Sequence, residues 1–254
     1  KDRMTACISS QVGCSLSCKF CATGKLKRMR NLEPDEIFDQ VVAVKEIAEK
    51  YYQKPLSNIV YMGMGEPLLN YKNVVTSIDR ITNDIGLGMS PKRITVSTAG
   101  ISKIIVKLAD DKVKFRLALS LHAANDKKRS EIMPINDQNT LDSLAESLDY
   151  FHSQTKNRVT FEYIIFKHFN DTLIDAEELV KFHKKVPGRV NIIEYNPIDD
   201  GQFEQADEDK VDAFAAYLEQ NKVTVNIRRS RGKDIDAACG QLANKNQAAV
   251  EVNP

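Results

Sequence analysis

Apolar residues along this chain fall into runs of two kinds. Short runs rich in Val, Ile, Leu and Tyr occupy 4–9, 59–62, 93–97, 115–121, 158–165, 190–195 and 223–228. Their length and β-branched content predict strands buried on both faces. Between them the apolar positions recur every three or four residues, the spacing of a helix with one buried face. Pro34–Tyr52 is the clearest case: Pro34-Asp35-Glu36 is a good helix start, and Ile37, Val41, Val44 and Ala48 share a face. Segments 139–154 and 207–220 behave similarly. The order is one strand followed by about six helix–strand units, which predicts an α/β fold with parallel strands and outer crossover helices. No Pro/Gly/Ser linker interrupts the middle, so a single partial (β/α) barrel over 1–244 is expected, with 245–254 as a loose tail.

In β/α barrels the loops after the strands line the active-site mouth. The candidate motifs stand there. They are a cysteine loop after the first strand, Gly63-Met64-Gly65-Glu66-Pro67, Ser97-Thr98-Ala99-Gly100, Ser120-Leu121-His122 and Asn196-Pro197. One site at one mouth is the expectation.

Composition narrows the class. With 42% hydrophobic and 28% charged residues over 254 positions, the chain reads as an ordinary globular domain. No apolar run is long enough to span a bilayer and no secretory signal opens the chain, so a cytoplasmic protein without membrane contact is expected. A net charge of +1 announces no nucleic-acid partner by itself, but 25–30 and 228–233 are locally basic. The five cysteines are odd in number, which argues against a disulfide framework.

Three of them, Cys14, Cys18 and Cys21, lie within eight residues. Soft thiolates suit an iron–sulfur centre, and a four-iron cubane on three cysteines leaves one iron open to bind a small molecule. Gly13, Ser15 and Gly24 permit tight bends, and Phe20 can shield the centre. A zinc site with Cys7 or Cys239 as fourth ligand stays open on spacing alone, and so does a zinc-stabilised RNA-binding protein without catalysis. In Gly65-Glu66 the glycine lets the backbone approach a ligand and the carboxylate can accept from an ammonium group. The hydroxyls of Ser97 and Ser120 and the His122 imidazole could meet ribose or carboxylate, and Asn196 an adenine or ribose.

The spacing Cys14-x3-Cys18-x2-Cys21, with Phe20 before the last cysteine, resembles the radical S-adenosylmethionine (SAM) superfamily. The resemblance narrows with Ala6-Cys7-Ile8-Ser9-Ser10-Gln11-Val12-Gly13-Cys14, Gly63-Met64-Gly65-Glu66-Pro67-Leu68-Leu69-Asn70, Met133-Pro134-Ile135-Asn136 and Asp236-Ala237-Ala238-Cys239-Gly240-Gln241-Leu242. Together these are similar to the RlmN-type RNA adenine-C2 methyltransferases. The Cfr-type enzymes, which methylate adenine C8, share the cysteines, and another radical SAM activity is a further alternative.

The resemblance implies a radical SAM barrel with a [4Fe-4S] cluster on Cys14, Cys18 and Cys21. It implies SAM held by Gly65, Glu66, Ser97, Ser120, Leu121, His122 and Asn196, two molecules being used per turnover. It implies that Cys239 carries a methyl group and that Cys7 resolves the intermediate, leaving a transient disulfide. The implied partners are 23S rRNA near the peptidyl-transferase region, tRNA beside the anticodon, and a reducing donor such as flavodoxin, with the enzyme a monomer. The family also carries an N-terminal accessory domain and an acidic residue before the first strand. Neither is in this sequence, which lacks an initial methionine and is expected to continue upstream.

Overall fold

In the computed structural model the described residues are 3–199, 201–229 and 240–241. The strands are β1 Met4–Cys7, β2 Gln11–Val12, β3 Arg30–Asn31, β4 Leu56–Tyr61, β5 Ile94–Thr98, β6 Arg116–Ser120, β7 Val159–Ile165, β8 Gly188–Glu194 and β9 Val225–Arg228. The helices are α1 Pro34–Tyr52, α2 Tyr71–Thr82, α3 Ser102–Asp110, α4 Asp126–Ile132, α5 Leu141–Thr155, α6 Leu173–His183 and α7 Glu208–Gln220. Seven strands form one sheet in the order β1-β4-β5-β6-β7-β8-β9, and every pairing in it is parallel. The alternation of short apolar runs and helical segments therefore reads through to the fold. Among the described residues β1 and β9 each pair on one side only, so the barrel is partial.

The curl of the sheet shows in its cavities. Arg3 and Thr5 at one edge and Arg228 at the other line the same concave space. Side chains alternate across each strand. Ile59, Tyr61, Val96, Leu117, Leu119, Phe161, Tyr163 and Ile192 point outward and are almost fully buried. They meet Ile37 and Val41 of α1, Ile78 and Ile81 of α2, Leu144 and Leu148 of α5, and Leu179 of α6. Each such side chain contributes about 1.5–3 kcal/mol by leaving water. The outer layer therefore holds the fold and leaves the inner face to polar chemistry.

Helix α1 has the bounds its periodicity predicts. Pro34 opens it, and Glu33 and Glu36 close a reciprocal capping box. Two boundaries differ from expectation. β1 ends at Cys7 rather than at residue 9, because Ser9 and Ser10 turn to hold the loop after β4. β4 begins at Leu56, just past Pro55, three residues before its most apolar stretch. The hairpin β2–β3, which brackets the cysteine loop, has too few residues to leave a pattern.

Candidate active site

The cysteine loop runs between β2 and β3. At its base Met29 N–H donates to the Val12 carbonyl at 2.8 Å, and Gly13 takes φ +73° with its α-carbon against the Lys27 carbonyl. A side chain at residue 13 would collide with that carbonyl. Cys21 N–H turns back to the Cys18 carbonyl at 3.3 Å, and Gly24 N–H to the Cys21 carbonyl at 3.0 Å. Gly24 is packed so tightly that a Cβ there would stand 2.7 Å from the Cys18 carbonyl oxygen. Under the loop lies a small apolar cluster in which Phe20, Ile132, Met133, Ile164, Phe166 and Ile193 receive Cys18 and Cys21. Phe20 meets the His122 ring edge to face at 4.7 Å.

Cys14, Cys18 and Cys21 are free thiols at one end of a cavity of about 170 Å³. Burial pushes the Cys18 thiol well above its ordinary range, and the neighbouring Cys21 and Cys14 push it further. Cys14 is raised in the same way, by burial first and then by Cys21 and Glu66. Three crowded thiols of this kind are poor company for one another as anions and good company for a positive centre, which would deprotonate them. Among the described residues no three His, Cys, Asp or Glu side chains close around one point as a single ion requires. A cubane puts each thiolate on a different iron. Three soft donors on one loop therefore suit a cluster.

The opposite wall of the cavity is built by strand-end loops. After β4, Gly63 N–H donates to the Ile8 carbonyl at 3.0 Å, and Met64 N–H to Ser9 Oγ at 3.0 Å. Glu66 N–H donates to Gln11 Oε1 at 2.8 Å. Glu66 is almost fully buried, and each of its carboxylate oxygens accepts a backbone amide: Oε1 from Leu68 at 3.0 Å and Oε2 from Ala99 at 2.7 Å. Burial raises its pKa, while the amides of Ala99 and Leu68 and the Thr98 hydroxyl oppose that rise. Glu66 thus ties the β4 loop to the β5 loop, and with two amides and the Thr98 hydroxyl bound it keeps about one lone-pair site for a ligand. Ser97 Oγ and Ser120 Oγ stand 3.3 Å apart on the same wall.

Gly65 has φ +95°, and a Cβ there would lie 2.5 Å from Gln11 Cβ. Replacing Gly65 with alanine is expected to cost about 1–3 kcal/mol in loop strain. It should also weaken SAM binding by tenfold or more in equilibrium dialysis of the anaerobic protein. Unchanged affinity would show that the loop tolerates the shift.

His122 also lines the cavity, at φ +54°, with Nδ1 accepting the Ile164 amide at 3.1 Å and its carbonyl accepting from Asn170 Nδ2 at 2.7 Å. Burial, with the Arg129 charge nearby, lowers its pKa to about 3. The imidazole is therefore neutral near pH 7, with its proton on Nε2 and Nδ1 engaged by the protein.

Three of the expected site residues stand apart from this cavity. Leu121 is fully buried in the outer core, its amide held by the Glu162 carbonyl at 3.0 Å, so only its backbone is near the mouth. Asn196 is buried behind β8, with Nδ2 3.5 Å from the Glu194 carbonyl, and does not line the cavity. Cys7 is exposed at the end of β1 and shares the inner face with Thr5 by alternation. It pairs with Val60, which in turn pairs with Thr95. Cys239 lies outside the described residues, as do Arg231 and Lys233 of the second basic run. Gly240 is described: it lines the cavity, and its carbonyl accepts the Ala22 amide at 2.8 Å.

The sequence reading missed Arg129. It falls in Lys127-Lys128-Arg129, which looks like a solvated run, yet it is fully buried. Its guanidinium gathers the carbonyls of Ala99, Ser120 and Leu121 and the Asn136 amide oxygen. Asn136 had been singled out within Met133-Pro134-Ile135-Asn136, but a side chain's partner 7 residues away on the far side of a turn leaves no periodic trace.

Comparison with known proteins agrees with this geometry. The model of the Radical SAM superfamily matches residues 8–183. Two proteins called probable dual-specificity RNA methyltransferase RlmN, from Christiangramia forsetii and Cytophaga hutchinsonii, are 60% and 64% identical to this chain. The matches cover 96% of this chain in both cases, and 70% and 67% of the relatives. The chain belongs to the radical SAM superfamily and, within it, to the RlmN methyltransferase family. The crystal structure of a radical SAM methyltransferase from Sphaerobacter thermophilus has the same fold, with a TM-score of 0.92 at 38% identity over 94% of this chain and 70% of that one. Streptococcus suis SuiB bound to S-adenosylmethionine, at 15% identity and a TM-score of 0.63, shares the barrel over 89% of this chain and 50% of its own.

Radical SAM membership implies a [4Fe-4S] cluster and SAM. The residues present fit both: three soft donors line one cavity together with a buried carboxylate, two facing hydroxyls and a glycine loop. Among the described residues no helix is long and apolar enough to cross a membrane.

Proposed function

We propose that this protein methylates C2 of an adenosine in 23S rRNA, in the peptidyl-transferase region, and in tRNA beside the anticodon, through an S-methylcysteine on Cys239. The observation that carries the reading is convergence on one cavity. Cys14, Cys18 and Cys21, the loop ends of β4, β5 and β6, and Gly240 all line it. Family membership adds that RlmN relatives are named as dual-specificity RNA methyltransferases.

The proposal places the cluster on Cys14, Cys18 and Cys21, and SAM against Gly65, Glu66, Ser97, Ser120 and His122, and keeps Leu121 and Asn196, just past the ends of β6 and β8, as further SAM contacts although neither lines the cavity. Bound there, cluster and SAM supply a transferable methyl group and, from a second SAM, an adenosyl radical. Adenine C2 is electron-poor and cannot itself displace a sulfonium methyl group, whereas the Cys239 thiolate can. The methyl group therefore passes first to the Cys239 sulfur. Loss of a hydrogen atom from that S-methyl group leaves a carbon radical, which bonds to C2. The adduct then gives up one electron, which can return to the cluster that would have spent one on SAM, and the C2 proton, which passes to a base. The Cys7 thiolate attacks the Cys239 sulfur: an S–S bond forms, the S–CH2 bond breaks, and the electron pair leaves with the methylated base, which takes up a proton. Two electrons from an external reductant reopen the disulfide.

The exposed position of Cys7 on the inner face supports this role, since the resolving thiol must reach both substrate and carrier. The reading takes 1–244 as the catalytic barrel, a monomer in the cytoplasm, with flavodoxin as electron donor.

The test uses anaerobically reconstituted protein, rRNA and tRNA lacking the modification, and mass spectrometry of nucleosides. 2-Methyladenosine is the expected product; 8-methyladenosine would move the enzyme to the Cfr type. The Cys7→Ala variant is expected to accumulate an RNA–protein adduct, seen as a gel shift sensitive to both nuclease and protease. Full turnover by that variant would remove Cys7 from the mechanism.

A further inference from the structure

The inner face of the half-barrel has a second level, below the cysteine cavity, at the starts of the strands. A concavity of about 550 Å³ opens there, within the range of about 300–1,000 Å³ typical of ligand clefts. Its lining holds eight arginines and lysines and one carboxylate, Glu162. That carboxylate is already met by Arg228 Nη1 at 3.3 Å and Asn191 Nδ2 at 2.8 Å. Lys92, Arg93, Arg116, Lys156, Arg158 and Arg189 are exposed, and among the described residues none of them is in an ion pair.

The charge of the whole chain is only +1, so this concentration is local. Like charges gathered in a concavity repel one another, and low-dielectric walls focus their field. Such a surface is at ease only beside a polyanion. It is also continuous with the catalytic cavity, because Met62, Glu162 and Arg228 line both spaces. Arg116 and Ser120 are the two ends of β6, so roughly 13 Å separates the basic floor from the cavity wall at about 3.3 Å per residue. A base that meets the radical must be exposed from the stack, so the strand that flanks it is unpaired.

We propose that this basic floor, centred on Arg116, Arg158 and Arg189, docks the phosphate backbone of the single-stranded RNA that flanks the target adenosine. The proposal rests on the RNA methyltransferase reading and says where, on this fold, the strand lies.

The test compares wild type with the triple variant Arg116→Gln/Arg158→Gln/Arg189→Gln, all three at exposed positions. A fluorescent RNA hairpin is titrated with holoenzyme by anisotropy across a series of KCl concentrations. The triple variant is expected to bind at least tenfold more weakly at low salt. Its slope of log affinity against log salt should shrink by about 2, since each lost single-strand phosphate contact removes about 0.7. RNA-independent release of 5′-deoxyadenosine should be unchanged, which shows that the cavity is intact. The matching triple Arg→Lys variant should keep the wild-type slope, and Lys50→Gln/Lys103→Gln/Lys184→Gln on the outer helix layer should leave it untouched. If wild type binds RNA and the triple Gln variant matches its affinity and slope, the surface is misplaced while the function stands. If wild type has no affinity for RNA, the function itself falls and the docking surface with it.

Discussion

Replacing Cys18 with alanine is expected to abolish the iron–sulfur chromophore and, with it, all SAM cleavage. Cys18 stands between Cys14 and Cys21 in the loop and packs on the apolar cluster around Phe20, Met133 and Ile193. Removing it leaves two donors on a loop whose bends were fixed to present three. The cost to the apoprotein should be small. Deleting one sulfur packed on this apolar cluster removes about 1 kcal/mol of packing. The two effects separate cleanly. Metal-free Cys18→Ala should unfold within a few degrees of metal-free wild type, while anaerobic reconstitution with iron and sulfide should yield no charge-transfer band near 400 nm. A variant that retained a full-strength band and released 5′-deoxyadenosine would move the cluster off this triad. Stoichiometric zinc in the wild type, with no band at all, would replace the cluster by the metal that spacing alone left open.

How far the sequence foretold this site depends on whether the physics is local. The parallel sheet was legible because each strand is a buried apolar run and each crossover a periodic helix, and both signatures lie within one segment. The strand-end loops were legible for the same reason, since Gly63, Gly65 and Gly13 mark tight turns where they stand. What distant segments do for one another was not. Glu66 reads as a ligand for an ammonium group, yet in the structure it first binds two backbone amides from different loops. Leu121 and Asn196 follow the ends of β6 and β8, but both are buried and neither lines the cavity. The basic runs at 25–30 and 228–233 drew notice because their charges are consecutive. Of the first, Arg30 is spent on Glu36 and Lys25 on the Asp199 carbonyl. The larger concentration of charge, Arg116, Arg158 and Arg189, comes from the starts of β6 and β8 and the residue just before β7, and has no linear trace at all.

Arg129 is the extreme case, and its replacement by methionine should be the most destabilising change near the site. The guanidinium is wholly buried, and burial lowers its pKa only to about 10, so it remains a cation at neutral pH. Among the described residues no carboxylate pairs with it directly. It donates from Nε to the Leu121 carbonyl at 3.1 Å, from Nη1 to Asn136 Oδ1 at 2.7 Å, and from Nη2 to the carbonyls of Ala99 and Ser120 at 2.5 and 3.2 Å. Asn136 relays the interaction to Asp126 Oδ1 at 2.9 Å. One side chain thus pins the C-terminal ends of β5 and β6, where Ser97 and Ser120 face each other and where the Ala99 amide holds Glu66. Methionine matches much of the volume but takes the donor from the Ala99 and Ser120 carbonyls and the Asn136 amide oxygen, while the Leu121 carbonyl keeps the Ala123 amide at 2.7 Å. Each acceptor so deprived costs about 1–3 kcal/mol before relaxation, so a net loss of about 3–5 kcal/mol is expected. Lysine restores the charge but lacks the planar fork, and should recover part of that loss without reaching all four acceptors. Urea denaturation gives the stability difference, and SAM affinity measured well below the unfolding midpoint gives the effect on the loops. Both should fall together, because the carbonyls that Arg129 holds belong to the loops that line the cavity. A methionine variant as stable as wild type, with unchanged SAM affinity, would mean that these loop ends are held by the sheet alone and that the buried cation is dispensable.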